Sequence, residues 1–291
     1  MDRIAPTRSV TQDEIDTFWR DGVVCLRSIL PLDLVAAMAA PIDEALDGSA
    51  MADLSDMADA LESGAGAARI VDDAVTESGV PRGHFRAGTD HWLVQPEFRD
   101  FALRSPLPQI VAALLGSEEV RLYEDSVLVK EPGTQEKTGY HQDMAYFHLD
   151  GDLVCTTWVP LDVVTEEMGA VRFVAGSHLD RTTYRPGMFV SDLSIPGTSG
   201  VEVPDYDEMV GEARIISFET APGDMTVHHC RTIHGARGNA SPTQWRRAIS
   251  VRYAGDGTRF KIVPGAPTKE HHASLVEGEL LVDAACPLAW P

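Results

Sequence analysis

The second half of the chain alternates short extended runs with turns, and this pattern limits the fold more than any other feature. From about residue 120, runs rich in β-branched and aromatic residues are separated by glycine, proline and aspartate. They read VRLYEDSVLVK, DLVCTTWVPL, GAVRFVAGS, ARIISFET, MTVHHCRTIH and RRAISVRY. Several short strands at regular spacing indicate a β-sandwich or barrel. Because helices do not alternate with these strands, a Rossmann-type parallel sheet is disfavoured.

The first part of the chain is mainly helical by its pattern, with one strand predicted in the β-branched, apolar run VVCLRSIL. In TQDEIDTFWRDG, Thr11 and Glu14 form a capping box at a helix start, and Gly22 is a stop signal. PEFRDFALRSPLPQIVAALLG predicts two short helices, the second ending at Gly116. We therefore predict a mainly β protein with flanking helices.

We expect one domain over residues 1–291, since no repeat, low-complexity tract or linker divides the chain. Its parts are a helical region at about 1–118, a β core at about 119–255 and a C-terminal tail at 256–291. Residues 178–212 form a long irregular insertion between two predicted strands. A loop of that length inside a compact domain is usually functional.

The composition excludes several partners. The chain has 24 lysines and arginines against 45 aspartates and glutamates, a net charge of −21, with the basic residues scattered. Such a surface repels nucleic acid and anionic membranes, so neither is an expected partner. No window resembles a membrane span or a secretory signal, which predicts a cytoplasmic location. The four cysteines form no CxxC pair, so a zinc knuckle or disulfide framework is not expected.

The stretch GYHQDMAYF places His141 and Asp143 two residues apart. In a β-strand, residues two apart point to the same face, so an imidazole and a carboxylate would aim at one point. This pair alone is equally consistent with an ordinary histidine beside an ordinary acid.

A second histidine-rich stretch adds to the first. A tight turn, PGD at 222–224, precedes a predicted strand that carries His228 and His229, and His234 follows in IHGARGNAS. Two histidines and one carboxylate match the facial triad of non-haem Fe(II) oxygenases, which leaves three coordination positions open. Spacing alone ranks the three histidines of this stretch nearly level as the second imidazole ligand.

The run RRAISVRY predicts a strand with one wet face. Arg246, Ala248, Ser250 and Arg252 alternate with mainly apolar residues, as expected of a wall that lines a cavity. A guanidinium pairs with a carboxylate in a two-pronged geometry and stays charged. Arg246 therefore suits the distal carboxylate of a dicarboxylic acid whose other end chelates iron.

Together these motifs resemble the phytanoyl-CoA dioxygenase family of Fe(II)/2-oxoglutarate oxygenases. The segments that carry the resemblance are KEPGTQEKTGYHQD, TWVPLDVVTEEMGAVRFVAGSH, PGD and HGARGNAS…WRRAIS, with DEIDTFWRDGVVCLRSIL at the N-terminus. The resemblance covers roughly residues 11 to 255. It implies a double-stranded β-helix core, a jelly roll of the cupin-like kind, wrapped by N-terminal helices.

The resemblance also assigns roles. It implies that His141, Asp143 and His234 bind the iron and that Arg246 binds the 2-oxoglutarate carboxylate. Further family positions near the cosubstrate are Gln142, Trp158 and Lys130. The chain departs from the family at Met168, where asparagine is common. The spacing from His234 to Arg246 is one residue longer than in mammalian relatives, which leaves Arg247 as an alternative anchor.

The predicted function is a dioxygenase that uses Fe(II), 2-oxoglutarate and O2 to hydroxylate or otherwise oxidise a small-molecule metabolite, releasing succinate and CO2. One alternative keeps these cofactors but ends in desaturation, epimerisation or cyclisation. Another is a non-catalytic jelly-roll binding protein. A halogenase is disfavoured, because Asp143 fills the position that chloride would need. The sequence leaves the oligomeric state and substrate open.

Overall fold

A computed structural model describes residues 3–55, 57, 81–191, 193–209, 211 and 213–291. Most of its helices come before residue 118. They are α1 (Gln12–Asp21), α2 (Leu32–Ala37), α3 (Ala39–Asp47), α4 (Pro96–Arg104) and α5 (Leu107–Leu115). Among the described residues, no helix is long and apolar enough to cross a membrane.

The strands of the described residues form two larger antiparallel sheets and a small pair. The larger sheet has the order β1 (Val23–Leu26), β10 (Met225–His229), β7 (Val154–Pro160), β12 (Arg246–Gly255), β4 (Val120–Lys130), β3 (Phe85–Thr89) and β2 (Ala52–Asp53), with β14 (Leu288–Trp290) also on β4. The second sheet has the order β5 (Thr138–His141), β11 (His234–Ala236), β8 (Val171–Val174) and β9 (Ile215–Ser217). The pair joins β13 (Arg259–Phe260) to β6 (Leu149–Asp150).

The alternation along β12 determines the two faces of the larger sheet. Ile249, Val251 and Tyr253 are fully buried in a core that the helices complete from outside, with Phe18 and Ile110 among its members. Residues at the intervening positions face the other way, into the cavity of the site. Burial of apolar area on the helical face stabilises the fold, at roughly 25 cal/mol per Å².

The mainly β prediction with flanking helices is confirmed, and the strand pairing adds to it. The predicted helical part contributes β1 and β3 to the larger sheet, and the C-terminal tail contributes β14. Strand pairing of this kind joins residues far apart in the chain, so a local sequence pattern does not predict which strands pair. The division into one domain remains a prediction.

Helix α1 begins at the predicted capping box. The Thr11 hydroxyl accepts a hydrogen bond from the Glu14 amide at 3.3 Å, and the Glu14 carboxylate accepts one from the Thr11 amide at 2.9 Å. Gly22 ends the helix with a φ of 78°.

Replacing Thr11 with alanine removes one side of this box, and we expect it to lower the free energy of unfolding by about 1 kcal/mol. Urea denaturation measures the loss. Gln12→Ala is the control, because Gln12 makes only an exposed side-chain bond to Asp16. A Thr11 variant as stable as the wild type would show that the box does not stabilise α1.

Candidate metal centre

The pairing of β5 with β11 brings the two halves of the motif together. His234 lies directly opposite His141 in this antiparallel pair. The local conformation of Asp143 differs from the prediction that it shares a strand with His141, because β5 ends at His141 and Asp143 begins a 3-10 turn. The Tyr146 amide donates to the Asp143 carbonyl in this turn, and the Met144 amide donates to Cys230. The turn still aims the carboxylate at the imidazoles.

The ligand atoms of His141, Asp143 and His234 all lie within 4.8 Å of one another. Asp143 Oδ1 is 3.6 Å from His141 Nε2 and 3.8 Å from His234 Nε2. All three side chains are buried. Among the described residues this is the one group of three or more such side chains with metal-binding geometry.

Backbone hydrogen bonds orient both imidazoles. His141 Nδ1 donates to the Gly139 carbonyl at 2.8 Å, and His234 Nδ1 donates to the Thr232 carbonyl at 3.0 Å. Because a neutral imidazole then has its lone pair on Nε2, both rings present that atom to the shared point.

The charge states suit metal binding. Burial, together with the neighbouring His228 and His141, holds the pKa of His234 well below its usual value. Burial opposes ionisation of Asp143, but contacts with the histidines outweigh it and keep the pKa of that carboxyl well below its usual value. The site therefore offers a neutral imidazole and a carboxylate at neutral pH.

The other oxygen of Asp143 is held by two side chains. Thr156 in β7 donates its hydroxyl to Asp143 Oδ2, and His228 Nε2 lies 3.3 Å from the same atom. These contacts leave Oδ1 directed at the two imidazoles. The sequence prediction missed Thr156, although its position two residues before Trp158 places both on one face of a strand.

His228 and His229, the alternative ligands, point to opposite sides of β10 because side chains alternate along a strand. His228 lines the cavity beside His234, with ring centroids 4.2 Å apart. His229 points to the opposite side of β10, where its Nε2 donates to the Asp152 carbonyl at 2.8 Å. Burial lowers the pKa of His229 to about 4, so it is a neutral, packed residue.

Arg246 lies in the same cavity as the triad histidines. Its Nη2 donates to the Gly169 carbonyl at 3.0 Å, and its guanidinium carbon is 5.1 Å from the centre of the Trp158 ring. Gly169 has a φ of 76°, and a Cβ there would approach the Arg237 carbonyl to 2.5 Å, so glycine is required. Burial lowers the pKa of Arg246 to about 10, which leaves it charged at neutral pH.

Two buried donors at this end have no hydrogen-bond partner in the described part of the chain. They are Arg246 Nε and Trp158 Nε1. Because an unpaired buried donor is costly, both indicate a polar ligand in the cavity. A diacid with one end at the triad and a carboxylate at Arg246 fits this donor set.

The remaining predicted residues lie behind the cavity wall. Lys130, directly across from Arg246 on β4, donates to the carbonyls of Glu136 and Arg237 at 2.9 and 2.6 Å. Gln142 donates to the Arg231 carbonyl at 2.6 Å, which directs it away from the triad. Their cosubstrate contacts remain predictions. Arg247, the alternative anchor, forms a two-pronged pair with Asp162 on another surface.

The insertion at 178–212 reaches the site through Phe189. Its ring lies 5.4 Å from the His141 ring, and its carbonyl accepts a hydrogen bond from the Gly139 amide at 2.9 Å. Phe189 has a φ of 64°, a conformation that costs a bulky residue roughly 1–3 kcal/mol. The cavity beneath it measures about 40 Å³.

Paired antiparallel sheets that carry two histidines and an aspartate define the class of the facial-triad non-haem iron proteins. The chain belongs to the phytanoyl-CoA dioxygenase family, whose model matches residues 18–248. The family predicted from the sequence motifs is confirmed.

Two curated relatives match part of the chain. One is a probable α-ketoglutarate-dependent hypophosphite dioxygenase from Stutzerimonas stutzeri, 29% identical over 142 residues, which are 47% of this chain and 46% of the relative. The other, a phytanoyl-CoA dioxygenase domain-containing protein 1 homolog from Dictyostelium discoideum, is 22% identical over 55% of each chain. The chain thus spans about half the length of the curated relatives it matches.

Solved structures match nearly the whole chain. The α-ketoglutarate-dependent carbocyclase SnoK from nogalamycin biosynthesis has a TM-score of 0.71 at 23% identity, covering 98% of this chain and 99% of SnoK. The epimerase SnoN from the same biosynthesis has a TM-score of 0.65 at 22% identity, covering 96% and 98%. These likenesses confirm the predicted jelly-roll core.

Proposed function

We propose that the protein is an Fe(II)/2-oxoglutarate-dependent dioxygenase that hydroxylates or otherwise oxidises a small-molecule metabolite. The observation that carries this proposal is the convergence of His141, Asp143 and His234, together with a cavity that the two histidines and Arg246 line. Membership of the phytanoyl-CoA dioxygenase family supports it.

In this proposal each cofactor has its own residues. His141 and His234 would hold Fe(II) through Nε2 and Asp143 would hold it through Oδ1, while Arg246 would bind the far carboxylate of 2-oxoglutarate. The bound iron and cosubstrate supply the activation of O2 that oxidises the substrate, with succinate and CO2 as by-products.

The chain itself contributes position and exclusion of water. The carbonyls of Gly139 and Thr232 fix the imidazole tautomers, and Thr156 and His228 fix the carboxylate. Trp158 packs on the Arg246 guanidinium and offers its indole N–H to the cosubstrate. Phe189 covers the triad from the insertion side and limits solvent access.

The outcome of the oxidation is a separate question. The structural neighbours include a carbocyclase and an epimerase, so a second candidate is the same cofactor set with cyclisation, epimerisation or desaturation as its outcome. A jelly-roll protein that binds without catalysis is the non-enzymatic alternative. The retained triad and Arg246 favour an enzyme over that alternative.

Two measurements test the proposed function. Anaerobic addition of Fe(II) and 2-oxoglutarate should give a weak visible charge-transfer band, and a metabolite library should then contain compounds that raise succinate release above the uncoupled background. Absence of the band in the wild-type protein would contradict the proposal. Product analysis of each active compound distinguishes hydroxylation from the other outcomes.

Replacing Thr156 with valine keeps the side-chain shape and removes the hydrogen bond to Asp143. We expect Fe(II) affinity to fall by about 10- to 100-fold, since a residue that orients a metal ligand has effects of that size. Anaerobic Fe(II) titration measures the change. Thr157→Val is the matched control, because Thr157 is buried and donates to the Val251 carbonyl on the other face. Equal losses in both variants would contradict the assigned role.

We further propose that the protein works in the cytoplasm on a small molecule, with neither nucleic acid nor membrane as a partner. The net charge of −21 supports the exclusion of polyanionic partners.

A further inference from the structure

The cavity contains a second buried arginine that the proposed mechanism does not use. Arg252 lies on the same face of β12 as Arg246 and Ser250, and all three line the cavity with the triad histidines. Its exposure is 9%. The alternation of residues in RRAISVRY also predicts that Arg252 faces the cavity.

Strand register places Arg252 at the level of the triad. It pairs with Thr156 in β7, and Thr156 pairs with His228 in β10, so the three residues form one row across the sheet. Thr156 and His228 are the side chains that hold Asp143. Arg246 is six residues away on the same strand, which separates the Cα atoms of the two arginines by about 20 Å at the usual rise per residue. The two arginines therefore serve different parts of the cavity.

The charge of Arg252 is only partly balanced. Glu124 Oε1 is 3.5 Å from its Nη1, but Glu124 also binds Lys269 at 2.6 Å, and Lys269 pairs with Asp90. Arg252 Nη1 donates to the Ser126 hydroxyl, whereas the buried Nε has no hydrogen-bond partner among the described residues. The guanidinium thus keeps a free donor inside the cavity.

A cation in this position opposes the binding of a metal dication nearby. Arg252 lies in register with Thr156, whose hydroxyl donates to Asp143 Oδ2. Placing a buried positive charge beside a metal is unfavourable unless an anion offsets it. Two-pronged recognition of an oxyanion is the use for which a guanidinium is best suited.

We propose that Arg252 binds an anionic group of the primary substrate, a carboxylate or a tetrahedral oxyanion close to the atom that is oxidised. This inference rests on the proposed function and narrows its substrate class to small acidic metabolites. It assigns the cosubstrate to Arg246 and the substrate to Arg252.

Calorimetric titration of acetate and of sulfate into the anaerobic Fe(II)–2-oxoglutarate protein tests the site. We expect the wild type to bind one anion per chain with saturating cosubstrate, and Arg252→Met to bind it at least about tenfold more weakly. Arg252→Lys should fall between them. A preference for acetate or for sulfate distinguishes the planar from the tetrahedral group.

Glu124→Gln gives a second result that does not depend on the folding of the Arg252 variants. Removing the counter-charge should strengthen anion binding at least about threefold, an effect that a purely structural arginine would not produce. Arg247→Met, a variant of the outer surface, should bind the anion like the wild type. No anion binding in the wild type, or equal affinity in the Arg252→Met, Glu124→Gln and wild-type proteins, overturns the inference.

The two hypotheses fail separately. A charge-transfer band without anion binding leaves the proposed function standing and rejects Arg252 as the substrate anchor. If the band is absent, the proposed function fails, and the same anions are titrated without cosubstrate. Anion binding that is tightest in Glu124→Gln and weakest in Arg252→Met then supports the role of Arg252, and equal affinity in the three proteins rejects it.

Discussion

Replacing Asp143 with alanine is expected to abolish 2-oxoglutarate-dependent turnover and to weaken Fe(II) binding by at least about 1000-fold, more than the 10- to 100-fold of a residue that only orients a ligand. The carboxylate is the one anionic group among the three predicted ligands, and its Oδ1 lies between the two imidazoles. Its loss removes a ligand and leaves Thr156 and His228 without the carboxylate oxygen that they contact. Anaerobic Fe(II) titration and succinate formation measure both effects.

Asp125→Asn is the matched control for this variant. Asp125 is also buried, and burial raises the pKa of its carboxyl to about 7, but its Oδ2 accepts from the Trp92 amide, away from the triad. We expect its Fe(II) affinity to equal that of the wild type. Wild-type metal affinity in Asp143→Ala would show that the ion binds elsewhere.

Replacing Arg246 with methionine should raise the KM for 2-oxoglutarate by at least about 100-fold, because removing one partner of a buried charge pair costs about 3 kcal/mol or more. Arg246 is buried, packs against the Trp158 ring and donates to the Gly169 carbonyl, which fixes its guanidinium in the cavity. Fe(II) affinity should remain within about threefold, since Arg246 is not a predicted ligand. Initial rates at varied cosubstrate give the KM.

The neighbouring arginine provides the control. Arg247→Met removes the pair with Asp162 on the outer surface, and we expect the KM for 2-oxoglutarate to change less than about twofold. The opposite pattern, a raised KM in Arg247→Met and an unchanged KM in Arg246→Met, would make Arg247 the anchor that the longer spacing allowed.

Strand alternation predicted the faces of β12 correctly because it is a local property of the backbone. Arg246 and Arg252 line the cavity while Ile249 and Val251 enter the core, as the pattern indicates. Sheet order is not local, so the pairing of β1 with β10 needed the structure. Likewise, Asp143 lies in a turn in which the Met144 amide donates to the Cys230 carbonyl, and no short window of sequence contains both residues.

The choice among three histidines shows the same limit. His228 and His229 occupy adjacent positions on opposite faces, and only the packing of β10 against β7 tells which one meets Asp143. His234 could be chosen from the family resemblance but not from spacing. Thr156 was missed because a threonine in an apolar strand is usually an ordinary strand residue.

An anaerobic crystal structure with Fe(II) and 2-oxoglutarate, with anomalous diffraction at the iron edge, tests the metal site most directly. We predict one strong peak bounded by His141 Nε2, Asp143 Oδ1 and His234 Nε2, with the diacid extending from it to Arg246. A peak at any other place in the chain, or a diacid bound away from Arg246, would contradict this account.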